Sequence, residues 1–328
     1  MADLADLADL ADLDPELAAL RDAAAAAGKA PMVDLSPAQA RERVVAGNRL
    51  CAAGPDAGVT VTDLDLDLVA DGGRPAVRVY ESAGEPSATL VYAHGGGWVT
   101  GDLDYADELC RFLAHDAGLR VVSVDYRLAP EHPFPAPVDD LAAAWDWAHA
   151  TYAGPLALGG DSAGGNLAAA VALRGTHPAA FLLLLYPVLG LPDETPSYRT
   201  RGTAFPMGAA DMRWFFDHYA PGRTRGREPG TDLAPLRATP GALGGLPATH
   251  LVLAGHDPLH DEGAAFAAAL AAAGGTVTVA SHPTLGHGFL RFTAVSAAAR
   301  EARSAVVAQA RRLAVLPRMH PEPTNSCL

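Results

Sequence analysis

The stretch LALGGDSAGGNLAAA, residues 156–170, decides the fold. It passes from an apolar segment through Gly160-Asp161-Ser162-Ala163-Gly164 into an alanine-rich segment of helical composition. A G-x-S-x-G match alone is weak, because most such matches in unrelated sequences fall in loops. A strand before it and a helix after it change its weight. That context predicts a sharp strand-to-helix turn that thrusts the serine hydroxyl out of a sheet, with small flanking residues letting the turn close. The helix N-terminus beneath supplies free N–H groups and a partial positive charge. Ser162 is therefore a candidate nucleophile.

Outward from this turn, the chain alternates between two textures. ATLVYA (88–93), LRVVSVDY (119–126), AFLLLLYPV (180–188), THLVLAG (249–255) and TVTVASH (276–282) are apolar and strand-like. Residues 105–118, 137–154, 166–175, 262–275 and 294–315 have helical patterning. Apolar strands alternating with helices predict a mostly parallel sheet covered on both faces, an α/β fold. Before them, VTDLDLDL (61–68) and AVRVYE (76–81) alternate with period two and predict an antiparallel edge. The longest apolar run, residues 179–191, reads as one buried strand.

Residues 191–246 interrupt the rhythm. They show no strand pattern and carry the aromatic cluster MRWFFDHY (212–219), and so long an excursion inside an α/β domain is usually functional. Near the N-terminus, Asp14-Pro15-Glu16 reads as a helix start and Gly28 as its stop. Ser36-Pro37-Ala38-Gln39 reads as a capping box, its helix ending at Gly54. The opening MADLADLADLADLD is a three-residue repeat whose leucines drift round a helix axis, so residues 1–13 read as a low-complexity segment. Residues 14–316 form the expected domain, and 317–328 an expected disordered tail.

Composition narrows the function. With 49% hydrophobic and 19% charged residues among 328, the chain has material for a sizeable core. A net charge of −14 argues against nucleic acid and against an anionic membrane surface. The three cysteines, Cys51, Cys110 and Cys327, are too scattered for a disulfide framework or a zinc site. The N-terminus is acidic where a signal peptide is basic, and no apolar run approaches the roughly 18 residues of a membrane span. The expectation is a soluble cytoplasmic protein that works on a small molecule.

A serine hydroxyl needs a base, and the base an orienting acid. In this fold the chain order is serine, acid, histidine, the latter two following later strands. Asp257 follows THLVLAG, and His287 follows TVTVASH. Asp261 competes as the acid, but Asp261-Glu262 looks like the opening of a helix, where a carboxylate caps free N–H groups. His256 and His260 are spaced like a metal pair, yet Pro258 lies between them and no third ligand is evident. His282 reads as a packed or solvated histidine. No metal and no cofactor is called for.

The loop His94-Gly95-Gly96-Gly97-Trp98 then acquires a reason. Acyl transfer at a serine generates an oxyanion that aimed backbone N–H groups stabilise, and a H-G-G-G loop after the third strand is one such device. Gly95, Gly96 and Ala163 are the expected donors.

Taken together, these motifs resemble the bacterial hormone-sensitive-lipase-like carboxylesterases of the α/β-hydrolase superfamily. The resemblance is carried by His94–Trp98, Gly160–Ala168, Asp257–Leu259 with Asp261–Gly263, His287–Phe289, and Asp125-Tyr126-Arg127-Leu128-Ala129-Pro130-Glu131-His132-Pro133-Phe134-Pro135-Ala136. It covers about residues 30–315 and implies an α/β-hydrolase fold with a helical cap from about 14–54 and 191–246. It implies hydrolysis of short-chain carboxylic esters by Ser162, Asp257 and His287 through an acyl-enzyme. The 125–136 stretch is expected to be scaffolding. Trp98, Phe205, Trp214, Phe215 and Phe216 are candidates for the substrate pocket, against the alternative that they only pack the cap core. A homodimer is compatible with the reading. Rival activities on this scaffold are a secondary-metabolite deacetylase or lactone-handling hydrolase, a dehydratase that forms no acyl-enzyme, and a ligand receptor. Receptors of this type lack the histidine that His287 provides.

Overall fold

The strand-like segments assemble as their patterning requires. The computed structural model describes residues 12–319 except 53, 56, 67–74 and 223–229, with side chains to 315. Its strands are β1 (Val59–Asp65), β2 (Ala76–Ser82), β3 (Thr89–Ala93), β4 (Arg120–Asp125), β5 (Leu156–Asp161), β6 (Leu182–Leu185), β7 (Thr249–His256) and β8 (Val277–Gly286). They form one sheet in the order β1-β2-β4-β3-β5-β6-β7-β8. β1 and β2 are antiparallel to their neighbours, and every pairing from β4 to β8 is parallel. This is the α/β-hydrolase architecture expected from the sequence.

Burial follows the strand patterns. Every residue of β3, β5 and β6 is buried, as a parallel strand covered on both faces must be. β1, by contrast, is mostly exposed, consistent with its alternating acidic residues at the sheet edge. Helices α3 (Asp107–His115) and α10 (Ala297–Met319) belong to one apolar layer. Helices α4 (Ala136–Thr151), α5 (Ala163–Arg174) and α9 (His260–Ala272) pack in the other.

Some boundaries differ from the sequence reading, for local reasons. The run 179–191 is strand only over β6, because Tyr186 takes a positive φ (38°) and Pro187 follows, turning the buried chain out of the sheet. The N-terminal helices are α1 (Pro15–Ala26), capped by Asp14, and α2 (Pro37–Gly47), which carries the expected capping box. α2 stops at Gly47 rather than Gly54, and a 3-10 turn over Asn48–Leu50 follows. α10 continues through Pro317 to Met319, so the ordered chain passes the boundary expected at 316. Residues 1–11 of the opening repeat and 320–328 of the tail lie outside the described residues.

The excursion after β6 contains α6 (Ser197–Thr200), α7 (Ala209–Tyr219) and α8 (Pro240–Gly244), with no strand among its described residues. α7 packs on the turn at Met32–Asp34, bringing the excursion against the N-terminal segment. Arg41 of α2 donates to the carbonyls of Val99 and Ala129, at 2.9 Å each, and pairs with Glu131. No described helix is long and apolar enough to cross a membrane.

Candidate active site

β5 ends at Asp161, and the chain turns at once into α5. Ser162 sits at that turn with φ 54° and ψ −117°, a strained conformation for a side-chain-bearing residue. The turn closes because its flanks carry no Cβ: at Gly160 one would meet the backbone of Gly164, and at Gly164 the carbonyl of Ala93. The strain and the α5 N-terminus place the Ser162 hydroxyl above the sheet, at the positive end of a helix dipole.

Three side chains meet there. The Ser162 hydroxyl donates to His287 Nε2 at 2.8 Å, and His287 Nδ1–H donates to Asp257 Oδ2 at 2.7 Å. A carboxylate only accepts, which fixes the histidine tautomer. Asp257 Oδ1 takes the Leu259 N–H at 2.8 Å, locking the carboxylate at the end of β7. Ser162 and His287 are only 5% and 6% exposed and Asp257 1%, so the reacting groups are recessed and shielded from bulk water.

Asp261 does not cap α9. It lies inside the first turn of that helix, and its carboxylate reaches outward to the Ser197 N–H (2.8 Å), His260 (3.0 Å) and Arg201 (3.3 Å). It fastens the excursion to the acid loop. Its neighbour Glu262 is fully buried and accepts the Leu189 N–H at 2.7 Å; burial pushes its carboxyl up to about 8. His256 and His260 hold no metal-binding group: no cluster of three or more His, Cys, Asp or Glu suited to a metal occurs among the described residues. His282 is partly buried and packs against Phe289, as a structural histidine does.

The glycine loop departs from expectation at one residue. The Gly95 N–H donates to Asp161 Oδ1 at 2.9 Å, so it is not available to a substrate. The N–H groups of Gly96, Gly97 and Ala163 have no acceptor among the described residues. Of the expected donors Gly95, Gly96 and Ala163, only Gly96 and Ala163 keep an unpaired N–H among the described residues, and Gly97 joins them. Gly97, which the sequence reading missed, has φ 61° and lies so close to Phe215 that a Cβ would overlap the ring. Beneath the loop, His94 donates from Nδ1 to the Gly95 carbonyl (2.7 Å) and stacks on Tyr126 at 4.3 Å. Burial depresses its pKa to about 4, so it is a neutral strut.

The aromatic candidates separate into two groups. Phe215 lies against Gly97, and the Phe205 carbonyl lies against Gly286, beside His287. Trp214 stands behind, edge-on to Phe215 at 5.1 Å. For Trp98 and Phe216, the alternative of core packing fits: both are almost fully buried, and Trp98 stacks on Tyr219 at 4.2 Å with Phe216 edge-on at 5.0 Å. Their flat apolar faces contribute more as packing than as an open wall. The 125–136 stretch is scaffold, with Arg127 forked onto the fully buried Asp140 (2.8 Å) and Tyr126 donating to the His94 carbonyl.

Comparison with known proteins shows the family. The family model for the α/β hydrolase fold matches residues 90–291. Ethyl acetate hydrolase of Pseudomonas putida is 36% identical over 314 residues, covering 90% of this chain and 97% of that protein. Carboxylic ester hydrolase LipN of Mycobacterium tuberculosis is 41% identical over 261 residues, 74% of this chain and 68% of its own. Among solved structures, an α/β hydrolase from the metagenome of Lake Arreo, Spain, crystallised as a serine-to-alanine mutant, superposes with a TM-score of 0.84 at 34% identity, covering 92% of this chain and 98% of that one. The chain belongs to the α/β-hydrolase fold family. It is an enzyme, a hydrolase related to the carboxylic ester hydrolases.

Proposed function

We propose that the protein is a serine carboxylesterase that hydrolyses short-chain esters through an acyl-enzyme on Ser162. The single observation that carries this is the continuous line Ser162–His287–Asp257, with bonds of 2.8 and 2.7 Å, beside which the N–H groups of Gly96, Gly97 and Ala163 find no acceptor among the described residues. His287 takes the serine proton as Oγ attacks the ester carbonyl. Gly96, Gly97 and Ala163 stabilise the oxyanion of the tetrahedral intermediate. His287 then protonates the departing alcohol, and a water, deprotonated by the same imidazole, releases the acid. Asp257 holds the tautomer and stabilises the imidazolium.

The relatives named for ethyl acetate and carboxylic ester hydrolysis support this substrate class. Segments 14–54 and 191–246 act as a cap: Phe205 and Phe215 bring it against the histidine and glycine loops. A recessed serine beneath bulky side chains favours acyl chains of about C2–C6. With p-nitrophenyl esters from acetyl to palmitoyl, wild type turns over the short esters fastest, and Ser162→Ala lowers kcat by several orders of magnitude with the fold intact. Faster palmitoyl than butyryl turnover overturns the chain-length claim. More than a tenth of wild-type activity in Ser162→Ala overturns the mechanism.

A further inference from the structure

We infer that Asp161, the residue before the nucleophile, is a positioning residue that sets the glycine loop at its working distance from Ser162. This deepens the proposed function and rests on it. Oδ1 of Asp161 takes two donors, the Gly95 N–H at 2.9 Å and the Tyr92 hydroxyl at 2.9 Å. Tyr92 lies within β3 and Asp161 ends β5, two paired neighbours at the centre of the sheet. The carboxylate is thus anchored at the centre of the sheet and holds the first peptide of the glycine loop.

The next two peptides carry the N–H groups that find no acceptor among the described residues. Gly96 and Gly97 take φ of 111° and 61°, so the loop leaves Gly95 in a conformation with little intrinsic preference. Its start is held on the carbonyl side by His94 and on the N–H side by Asp161, the residue directly preceding the serine. One side chain thereby ties the nucleophile turn and the oxyanion donors into a single unit. The fit is close: a Cβ on Gly95 would collide with Asp161 Oδ2. A cavity of about 20 Å³ is lined by Asp161 together with Tyr92, Tyr105, Tyr186 and Arg291.

A displacement of about 1 Å in an aligned catalytic group costs on the order of 10²-fold in rate. Asp161→Ala is therefore expected to lower kcat by about 10–100-fold with KM within about 3-fold of wild type. Asp161→Asn keeps an acceptor at Oδ1 and is expected to stay within about 5-fold. Tyr92→Phe leaves Gly95 held but loosens the carboxylate, and is expected between the two. The discriminating readout is inhibition by a trifluoromethyl ketone ester analogue, whose serine adduct carries an oxyanion: its Ki rises in parallel with the loss in kcat/KM across the variants. Should Asp161→Ala fail to fold, the same comparison is made with Tyr92→Phe, and unchanged kcat and Ki there overturn the inference. So does Asp161→Ala with kcat within 3-fold of wild type, or Asp161→Asn as impaired as Asp161→Ala. Activity surviving Ser162→Ala would instead remove the acyl-enzyme reading beneath it.

Discussion

The glycine loop after β3 and the acid loop after β7 each offer chemically equivalent groups, and the fold uses them unequally. In the acid loop, two aspartates four residues apart divide the work. Asp257 meets His287, while Asp261 points away to Ser197 and Arg201. In the glycine loop, three consecutive glycines divide as well: Gly95 donates to Asp161, and Gly96 and Gly97 are left without an acceptor among the described residues. The first division follows from position along the chain, since Asp257 directly follows its strand and Asp261 is the second residue of a helix. The second follows from a carboxylate 66 residues away in sequence. Equivalent residues are told apart by local position in one loop and by tertiary contact in the other.

The largest effect that tests this contrast falls on Asp257. Asp257→Asn lowers kcat by about 10⁴-fold with little loss of stability, because an amide misorients the imidazole as in the serine-protease acid. Steady-state kinetics beside a thermal melt checks both halves. A drop of less than 10-fold would mean that another group orients His287.

This division was only partly legible in the sequence. Ser162, Asp257 and His287 were readable because each follows an apolar strand, and strand ends are local features. The parallel sheet was readable for the same reason. Gly95 and Gly97 were not distinguishable, because identical residues carry no mark of which N–H finds a distant carboxylate. Trp98 and Phe216 stayed open between pocket and core because aromatic side chains look alike in both until Tyr219 stacks on one of them. The end of β6 was obscured by Tyr186, whose backbone turn has no hydropathy signature.

A smaller effect concerns Glu262, one residue past Asp261. Its carboxyl is raised to about 8 by burial, above the 4.5 of an exposed glutamate. The folded state therefore holds a proton that the unfolded chain releases, and its stability contribution is full below pH 4.5 and lost as pH rises towards 8. Glu262→Gln mimics the protonated form, so wild type should melt progressively lower relative to this variant from about pH 5 to pH 8. Parallel melting curves across that range would contradict the buried, protonated state.

The smallest expected effect is at Asp261. Asp261→Asn still accepts the Ser197 N–H and loses only the ion pair to the partly exposed cluster, costing roughly 1 kcal/mol or less. Its kcat at neutral pH should stay within about 3-fold of wild type. A loss comparable to Asp257→Asn would erase the contrast within the acid loop.

The central claim is that Ser162 becomes covalently acylated with His287 as its base, and labelling tests it most directly. The protein is incubated with a fluorophosphonate, digested, and the adduct mapped by peptide mass spectrometry in wild type, Ser162→Ala and His287→Ala. The account predicts one adduct, on Ser162, formed at least about 10²-fold more slowly in His287→Ala and absent in Ser162→Ala. An adduct on any other residue, or ester hydrolysis by a wild-type enzyme that takes no label, would contradict it.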